Sequence, residues 1–127
     1  MASAARILVV DDDRDVRESL HDVLEHRGYV VVQAIDGADA IEQMRGATEL
    51  PDLILLDLMM PRMNGREFRE AMVSEGRFRG VPVLVISADV DVGTKAAAMG
   101  VDAYLVKPFA LRELLELVRM LVGAKGP

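Results

Sequence analysis

The sequence predicts an α/β domain built as a doubly wound, five-stranded parallel sheet of order 2-1-3-4-5 with five helices. Three observations lead to it. Short apolar runs alternate with segments whose apolar residues recur at helical spacing, and the connections between them are short. The runs show little polar alternation, the pattern of strands covered on both faces. Four of the five runs also stop on a polar group: Asp11-Asp12 after Ile7-Leu8-Val9-Val10, Asp57 after Leu53-Ile54-Leu55-Leu56, Ser87 after Val83-Leu84-Val85-Ile86, and Lys107-Pro108 after Tyr104-Leu105-Val106.

Each element has its own signals. The first run leads to Asp13, a helix N-cap, and to a helix whose buried face is Val16, Leu20, Val23 and Leu24, ended by Gly28. Val30-Val31-Val32 is the second strand. Asp36-Gly37 caps a second helix with Ala40, Ile41, Met44 and Ala47 on its inner face. After the third run, Asn64-Gly65 is a turn and helix-start signal, and Phe68, Ala71 and Met72 form the third stripe. The fourth helix is short and alanine-rich, Asp91 to Met99, with Gly100 after it. Leu111, Leu114, Leu115, Val118, Leu121 and Val122 give the fifth stripe, stopped by Gly123, and residues 124–127 are expected to fray. Leu117 and Met120 fall off that stripe and are expected on an exposed face beside Ala96, Ala97, Ala98 and Tyr104.

Composition bounds the function. At 127 residues the chain fits one domain, 1–127, with a core from about 6 to 122. Hydrophobic residues make up 51%, enough for a real core, and the net charge of -6 argues against general nucleic-acid or anionic-membrane binding. The lack of cysteine excludes disulfides and thiolate metal sites. No leader is expected, because Met1-Ala2-Ser3-Ala4-Ala5-Arg6 runs directly into a strand. A cytoplasmic location is expected. His21 and His26 are expected to be solvated without partners.

The chemistry gathers on one rim. Ligands of an open parallel sheet bind beyond the carboxyl ends of the strands, where strand order reverses. That point lies between the first and third strands, which deliver Asp11, Asp12 and Asp57. Two unit charges 4 Å apart repel by about 1 kcal/mol in water and about 4 kcal/mol at an effective dielectric of 20. A proton or a cation must offset this. Oxygen-only donors select a hard cation such as Mg²⁺. Lys107 adds a point charge for a phosphate oxygen and Ser87 a hydroxyl, so the set fits phosphoryl transfer.

These residues also carry a resemblance. The chain resembles the receiver domains of bacterial two-component response regulators, including the chemotaxis receiver. The matching pieces are Ile7 to Asp13, Leu56 to Gly65, Val85 to Ala88 and Tyr104 to Phe109, in order and at receiver spacing. The resemblance implies that Asp57 is the phosphoacceptor, taking its phosphoryl group from a phosphohistidine. It implies Asp12 as a direct Mg²⁺ ligand, Asp11 as a ligand through water and the Met59 carbonyl as a further ligand. Lys107 would pair with Asp57 at rest, and Ser87 and Tyr104 would form the switch pair. A cis Lys107-Pro108 bond is implied too. The partners implied are a sensor histidine kinase or phosphotransfer protein and a downstream protein target. The chain would not be an enzyme, beyond catalysing its own phosphotransfer and dephosphorylation. The apolar residues expected on the fourth helix, fifth strand and fifth helix suggest a docking face for a partner or, as a weak homodimer, a second copy, whereas Leu117 stands where dimerising DNA-binding regulators usually carry charge, which argues against their salt-bridged dimer. Met59 and Asp89 occupy positions that tune dephosphorylation in the family.

Three other readings fit less well. One is a receiver cut from a longer regulator, in which Lys125-Gly126-Pro127 would be the stub of a linker; a stand-alone receiver would instead signal by docking or relay. An Asp-nucleophile, Mg²⁺-dependent phosphatase of the haloacid-dehalogenase type needs a second Asp where Met59 stands. A flavodoxin-type carrier needs a hydroxyl-rich phosphate loop where this chain has acids.

Overall fold

The structure, a computed structural model, describes residues 4–60 and 62–123. Its elements run β1 (Arg6–Val10), α1 (Arg14–His26), β2 (Val30–Ala34), α2 (Gly37–Gly46), β3 (Leu53–Asp57), α3 (Gly65–Ser74), β4 (Val83–Ser87), α4 (Val92–Met99), β5 (Ala103–Val106) and α5 (Leu111–Val122). The sheet is parallel throughout, in the order β2-β1-β3-β4-β5. The expected fold is the one observed. The expected fraying of 124–127 lies outside the described residues.

The two-residue period of the strands divides the core into two layers. Leu8, Val10, Ile54, Leu56, Val83 and Val85 face α2 and α3, where Ile41, Met44, Phe68 and Met72 fill the space. Ile7, Val9, Leu53, Leu55, Leu84 and Ile86 face the other way, onto Leu20 and Leu24 of α1 and Leu114, Val118 and Val122 of α5. β3 and β4 are buried along their whole length, whereas the edge strands β2 and β5 are partly open, so burial on both faces holds for the interior of the sheet only.

Helix ends follow the sequence signals. Asp13 accepts from the Asp15 and Val16 amides, and Asp36 accepts from Asp39. Asn64 and Glu67 form a capping box. Gly100 ends α4 with φ 67°, which glycine adopts without a Cβ clash. A 3-10 turn, Gly76–Phe78, was not anticipated; it seats Phe78, whose ring is buried under α3 and β4.

Four expectations need correction. Leu111, assigned to the buried stripe, is 48% exposed, because it opens the helix before the chain has settled on the sheet. Leu117, assigned to the exposed face, packs partly buried on the α1–α5 layer, whereas Met120 is 71% exposed. Ala96 is core rather than surface. His21 is not without partners: its ring nitrogens lie 3.2 Å from Asp22 and 3.2 Å from Glu25. Among the described residues, no helix is long and apolar enough to cross a membrane.

Candidate functional site

The rim forms because three adjacent strands end in register. Val10 pairs with Leu56 across β1–β3, and Asp57 pairs with Ile86 across β3–β4. Asp11 therefore emerges beside Asp57, and Ser87 lies one residue further along β4. Ser87 in turn pairs with Val106, which brings Lys107 over from β5. The backbone closes this corner, since the Lys107 N–H donates to the Ser87 carbonyl at 2.9 Å. The Lys107-Pro108 peptide is cis, as the resemblance implied.

Asp11, Asp12 and Asp57 each present a carboxylate oxygen within 4.8 Å of the others. Asp11 and Asp57 are buried and Asp12 is exposed. Asp11 is fixed from two sides: its Oδ1 accepts from the Asp13 N–H at 2.9 Å, and its carbonyl accepts from an Arg17 guanidinium nitrogen at 2.9 Å. Asp57, 9% exposed, accepts at Oδ1 from the Met59 N–H at 3.2 Å. Burial pushes the Asp57 carboxyl up to about 6, and the Asp11 and Asp12 charges push the same way; Lys107 and the Met59 amide oppose them.

Lys107 corrects one expectation. Its Nζ lies 3.4 Å from Asp11 Oδ2, and that is its ion pair, rather than one with Asp57. Its charge still reaches Asp57 through space. Ser87 is fully buried, and its Oγ accepts from the Asp89 N–H at 3.1 Å. Tyr104 is 47% exposed on the outer side of β5, with its ring against Gly93 of α4. A Cβ at Gly93 would stand 3.1 Å from the Tyr104 hydroxyl, so glycine leaves room for the ring.

Sequence reasoning missed three contacts, although it had named Asp89 as a flanking position. Arg17 lies one helical turn after Asp13 and reads as ordinary surface charge. Asp89 forms an ion pair with Lys95 that crosses from the end of β4 to α4. Arg62 pairs with Asp36, whose side chain is 3% exposed, and holds that carboxyl below the usual range. Only the helix-cap role of Asp36 was legible, because an ion pair between two loops has no period in sequence.

Fold and site together define a class: a doubly wound α/β domain with an acidic, lysine-flanked rim at the carboxyl ends of its strands. The response regulator receiver domain matches residues 7–119. Response regulator MprA of Mycobacterium ulcerans (strain Agy99) is 46% identical over 121 residues, covering 94% of this chain and 50% of that protein. MprA of Mycobacterium bovis (strain BCG / Pasteur 1173P2) is 44% identical over 126 residues, 98% of this chain and 53% of that one. The chain thus spans about half the length of the curated relatives it matches. Among solved structures, chemotaxis response regulator CheY4 of Vibrio cholerae superposes with a TM-score of 0.84 at 30% identity, covering 94% of this chain and 99% of that one. Response regulator TrrA of Thermotoga maritima, solved in complex with Mg²⁺-BeF, gives 0.81 at 30% identity over 92% of this chain and 98% of its own. The chain belongs to the response regulator receiver domain family. Its class is that of a phosphoacceptor signalling switch, and such domains are generally not enzymes.

Proposed function

We propose that Asp57 is the phosphoacceptor of this chain, with Lys107 and Ser87 as the groups that receive the phosphoryl oxygens. The carrying observation is the meeting of the buried Asp57 with Asp11 and Asp12 within 4.8 Å, with the ammonium of Lys107 beside them. In the transfer, an Asp57 Oδ–P bond forms and the P–N bond of a phosphohistidine breaks, with the electron pair leaving on the imidazole nitrogen. Asp57 must be ionised to attack, and its raised carboxyl makes acceptance more favourable as pH rises through about 6.

The donor set fits Mg²⁺. Its side-chain donors are carboxylate oxygens, and three acids share one nearby ammonium, which leaves uncompensated negative charge. Asp12 and Asp57 would hold the ion directly, Asp11 through water, and the Met59 carbonyl would complete the protein's share. Bound there, Mg²⁺ would supply positive charge against the incoming phosphoryl oxygens. The Mg²⁺-BeF complex of the relative TrrA supports this reading.

Ser87 and Tyr104 are proposed as the switch. Ser87 would leave the Asp89 amide for a phosphoryl oxygen, and Tyr104 would turn inward from its exposed position. The α4–β5–α5 face, with Tyr104 and Met120 open to solvent, is then the surface for a downstream protein or a second copy of the chain. The phosphodonor would be a sensor histidine kinase or a phosphotransfer protein, which implies the cytoplasm. Self-catalysed transfer from small phosphodonors and self-catalysed dephosphorylation belong to the same reading.

The test is incubation with acetyl phosphate and Mg²⁺ followed by intact mass. One phosphoryl adduct is expected, absent in Asp57→Asn and suppressed by EDTA. A Mg²⁺-independent adduct that persists in the variant refutes the assignment.

A further inference from the structure

The loop between β3 and α3, of which residues 58–60 and 62–64 are described, carries the Met59 peptide beside Asp57. Something must hold that loop if the peptide is to stay in place. Its base is closed by the Gly65 N–H, which donates to the Leu58 carbonyl at 3.0 Å. The closure is tight: a Cβ on Gly65 would come within 2.8 Å of the Asp57 carbonyl oxygen.

Arg62 and Met63 are tied to a different part of the chain. The Arg62 guanidinium grips Asp36 in the β2–α2 turn, Nε to Oδ2 at 2.6 Å and a terminal nitrogen to Oδ1 at 3.1 Å. Next to this, the Gly37 N–H donates to the Met63 carbonyl at 3.1 Å, and a Cβ on Gly37 would lie 2.8 Å from that oxygen. Asp36 is a fixed post, because it is buried and its Oδ1 also accepts from the Asp39 N–H at 2.8 Å. Arg62 is the yielding part. Among the described residues it is the one non-glycine with positive φ, at 55°. An arginine keeps that conformation only where its contacts hold it there.

The neighbouring elements do not need this pair. α3 begins with its own capping box from Asn64 and Glu67, and β3 is hydrogen-bonded on both sides. What depends on the pair is the placement of the loop between them.

We infer that the Arg62–Asp36 pair is a positioning clasp for the acceptor site: it pins Arg62 and Met63 to the β2–α2 turn and so helps hold the Met59 peptide against Asp57. The inference rests on the reading of Asp57 as phosphoacceptor with the Met59 carbonyl among the Mg²⁺ ligands. Arg62 touches none of the three acids of the rim, so it acts through the loop. With the clasp open, Arg62 relaxes out of the left-handed region and the Met63 carbonyl moves from the Gly37 amide. The Met59 peptide then samples positions that neither donate to Asp57 nor face the acids. A two-nitrogen grip on a buried carboxylate needs the planar fork of arginine, which lysine lacks.

Three variants of the full chain separate the possibilities. Arg62→Gly removes the grip but tolerates the left-handed backbone. Asp36→Asn keeps the oxygen that caps α2 and removes the charge. Arg62→Lys keeps the charge and loses the fork. Met59 amide hydrogen exchange is measured by NMR in EDTA, Mg²⁺ alone is titrated by calorimetry, and thermal midpoints are recorded. Arg62→Gly and Asp36→Asn are expected to raise the Mg²⁺ half-saturation concentration by about 10-fold, the scale typical of lost outer-shell support. Met59 exchange should accelerate in both, Arg62→Lys should fall between them and the wild type, and the double variant should be no worse than either single. Midpoints that fall while Met59 exchange and Mg²⁺ half-saturation stay within about twofold of wild type would show a merely structural ion pair and overturn the clasp. A wild type that takes up no Mg²⁺ would instead refute the acceptor reading. Met59 exchange needs neither metal nor phosphodonor, and it decides the clasp in that case as well.

Discussion

Replacing Asp57 by Asn should stabilise the metal-free protein at neutral pH. The acid group exchanges one proton on ionising, and its folded value is raised from 3.8 to about 6, chiefly by burial and next by the Asp11 charge. Below pH 3.8 the carboxyl is protonated in both folded and unfolded chains and contributes no pH dependence. Between pH 3.8 and about 6 the folded state holds the proton and the unfolded state does not, so stability falls as pH rises. Above about 6 the full penalty is present. Raising the carboxyl from 3.8 to about 6, at about 1.4 kcal/mol for each tenfold change in proton affinity, gives a penalty of about 3 kcal/mol. Asn has nearly the same shape and no charge, so it should recover most of this. For a chain of 127 residues that is a rise in thermal midpoint of about 10 °C. The assay is urea unfolding by circular dichroism in EDTA at several pH values from about 4 to about 8. The advantage of Asp57→Asn should be near zero at the acid end, grow to about pH 6 and then level off. Parallel pH profiles for the two proteins, or a variant less stable than wild type at about pH 7.5, would refute the electrostatic account of the site.

Mg²⁺ at about 100 times its dissociation constant should stabilise the wild type by about 2.7 kcal/mol, seen as a shifted unfolding midpoint, and Asp57→Asn should weaken that response. Ser87→Ala should still take up the phosphoryl group, checked by intact mass. It should cost about 1 kcal/mol because the Asp89 amide loses its acceptor, and the NMR response of α4 and α5 to phosphorylation should be lost. Gly65→Ala should destabilise by about 1–3 kcal/mol in urea titration, because the new methyl meets backbone atoms of Asp57 and Leu58 that have little freedom to move. Met120→Glu should leave stability within about 0.5 kcal/mol while weakening partner binding or self-association, whereas Leu117→Glu should destabilise because that side chain packs on the core.

What was legible in the sequence is what has a period or a fixed offset. The β1, β3 and β4 runs, the stripes of α1 to α3, and the caps Asp13, Asp36 and Asn64 are all set by contacts within a few residues. The acidic rim was legible at one remove, because a parallel sheet collects the carboxyl ends of its strands on one side. Pairings between loops were not legible. Arg62 and Asp36 lie 26 residues apart, and nothing local marks either as the other's partner. Lys107 was expected against Asp57 and stands against Asp11, because strand order fixes which strands are neighbours while side-chain rotamers decide which oxygen the ammonium reaches. The errors on α5 have a similar origin. A stripe marks the centre of a buried face well, but Leu111 sits in the first turn, and Leu117 lies at the margin where neighbouring packing decides.

The charge balance of the rim connects the fold to the proposed switch. Asp11, Asp12 and Asp57 carry three negative charges when ionised, and Lys107 returns one, leaving minus two. The two apolar layers stabilise the fold while the rim opposes it, since the raised Asp57 carboxyl reports a charge that burial and its neighbours disfavour. A phosphoryl group on Asp57 would bring about minus two in place of minus one and sharpen the imbalance. If Asp57 is the acceptor and the rim takes a cation, as proposed, the two events would be coupled, and by linkage each would strengthen the other by the same factor. The only described ammonium paired at the rim is already engaged with Asp11, so turning it to the phosphoryl group would leave that buried acid short of a counter-charge. A divalent cation would remove the conflict, because it could answer Asp11 and Asp12 while Lys107 turned to the phosphoryl group. If Ser87 and Tyr104 form the proposed switch, the free energy that shifts them would come from relief of a repulsion built into the resting domain, and a site with fewer acids would be more stable and a weaker switch.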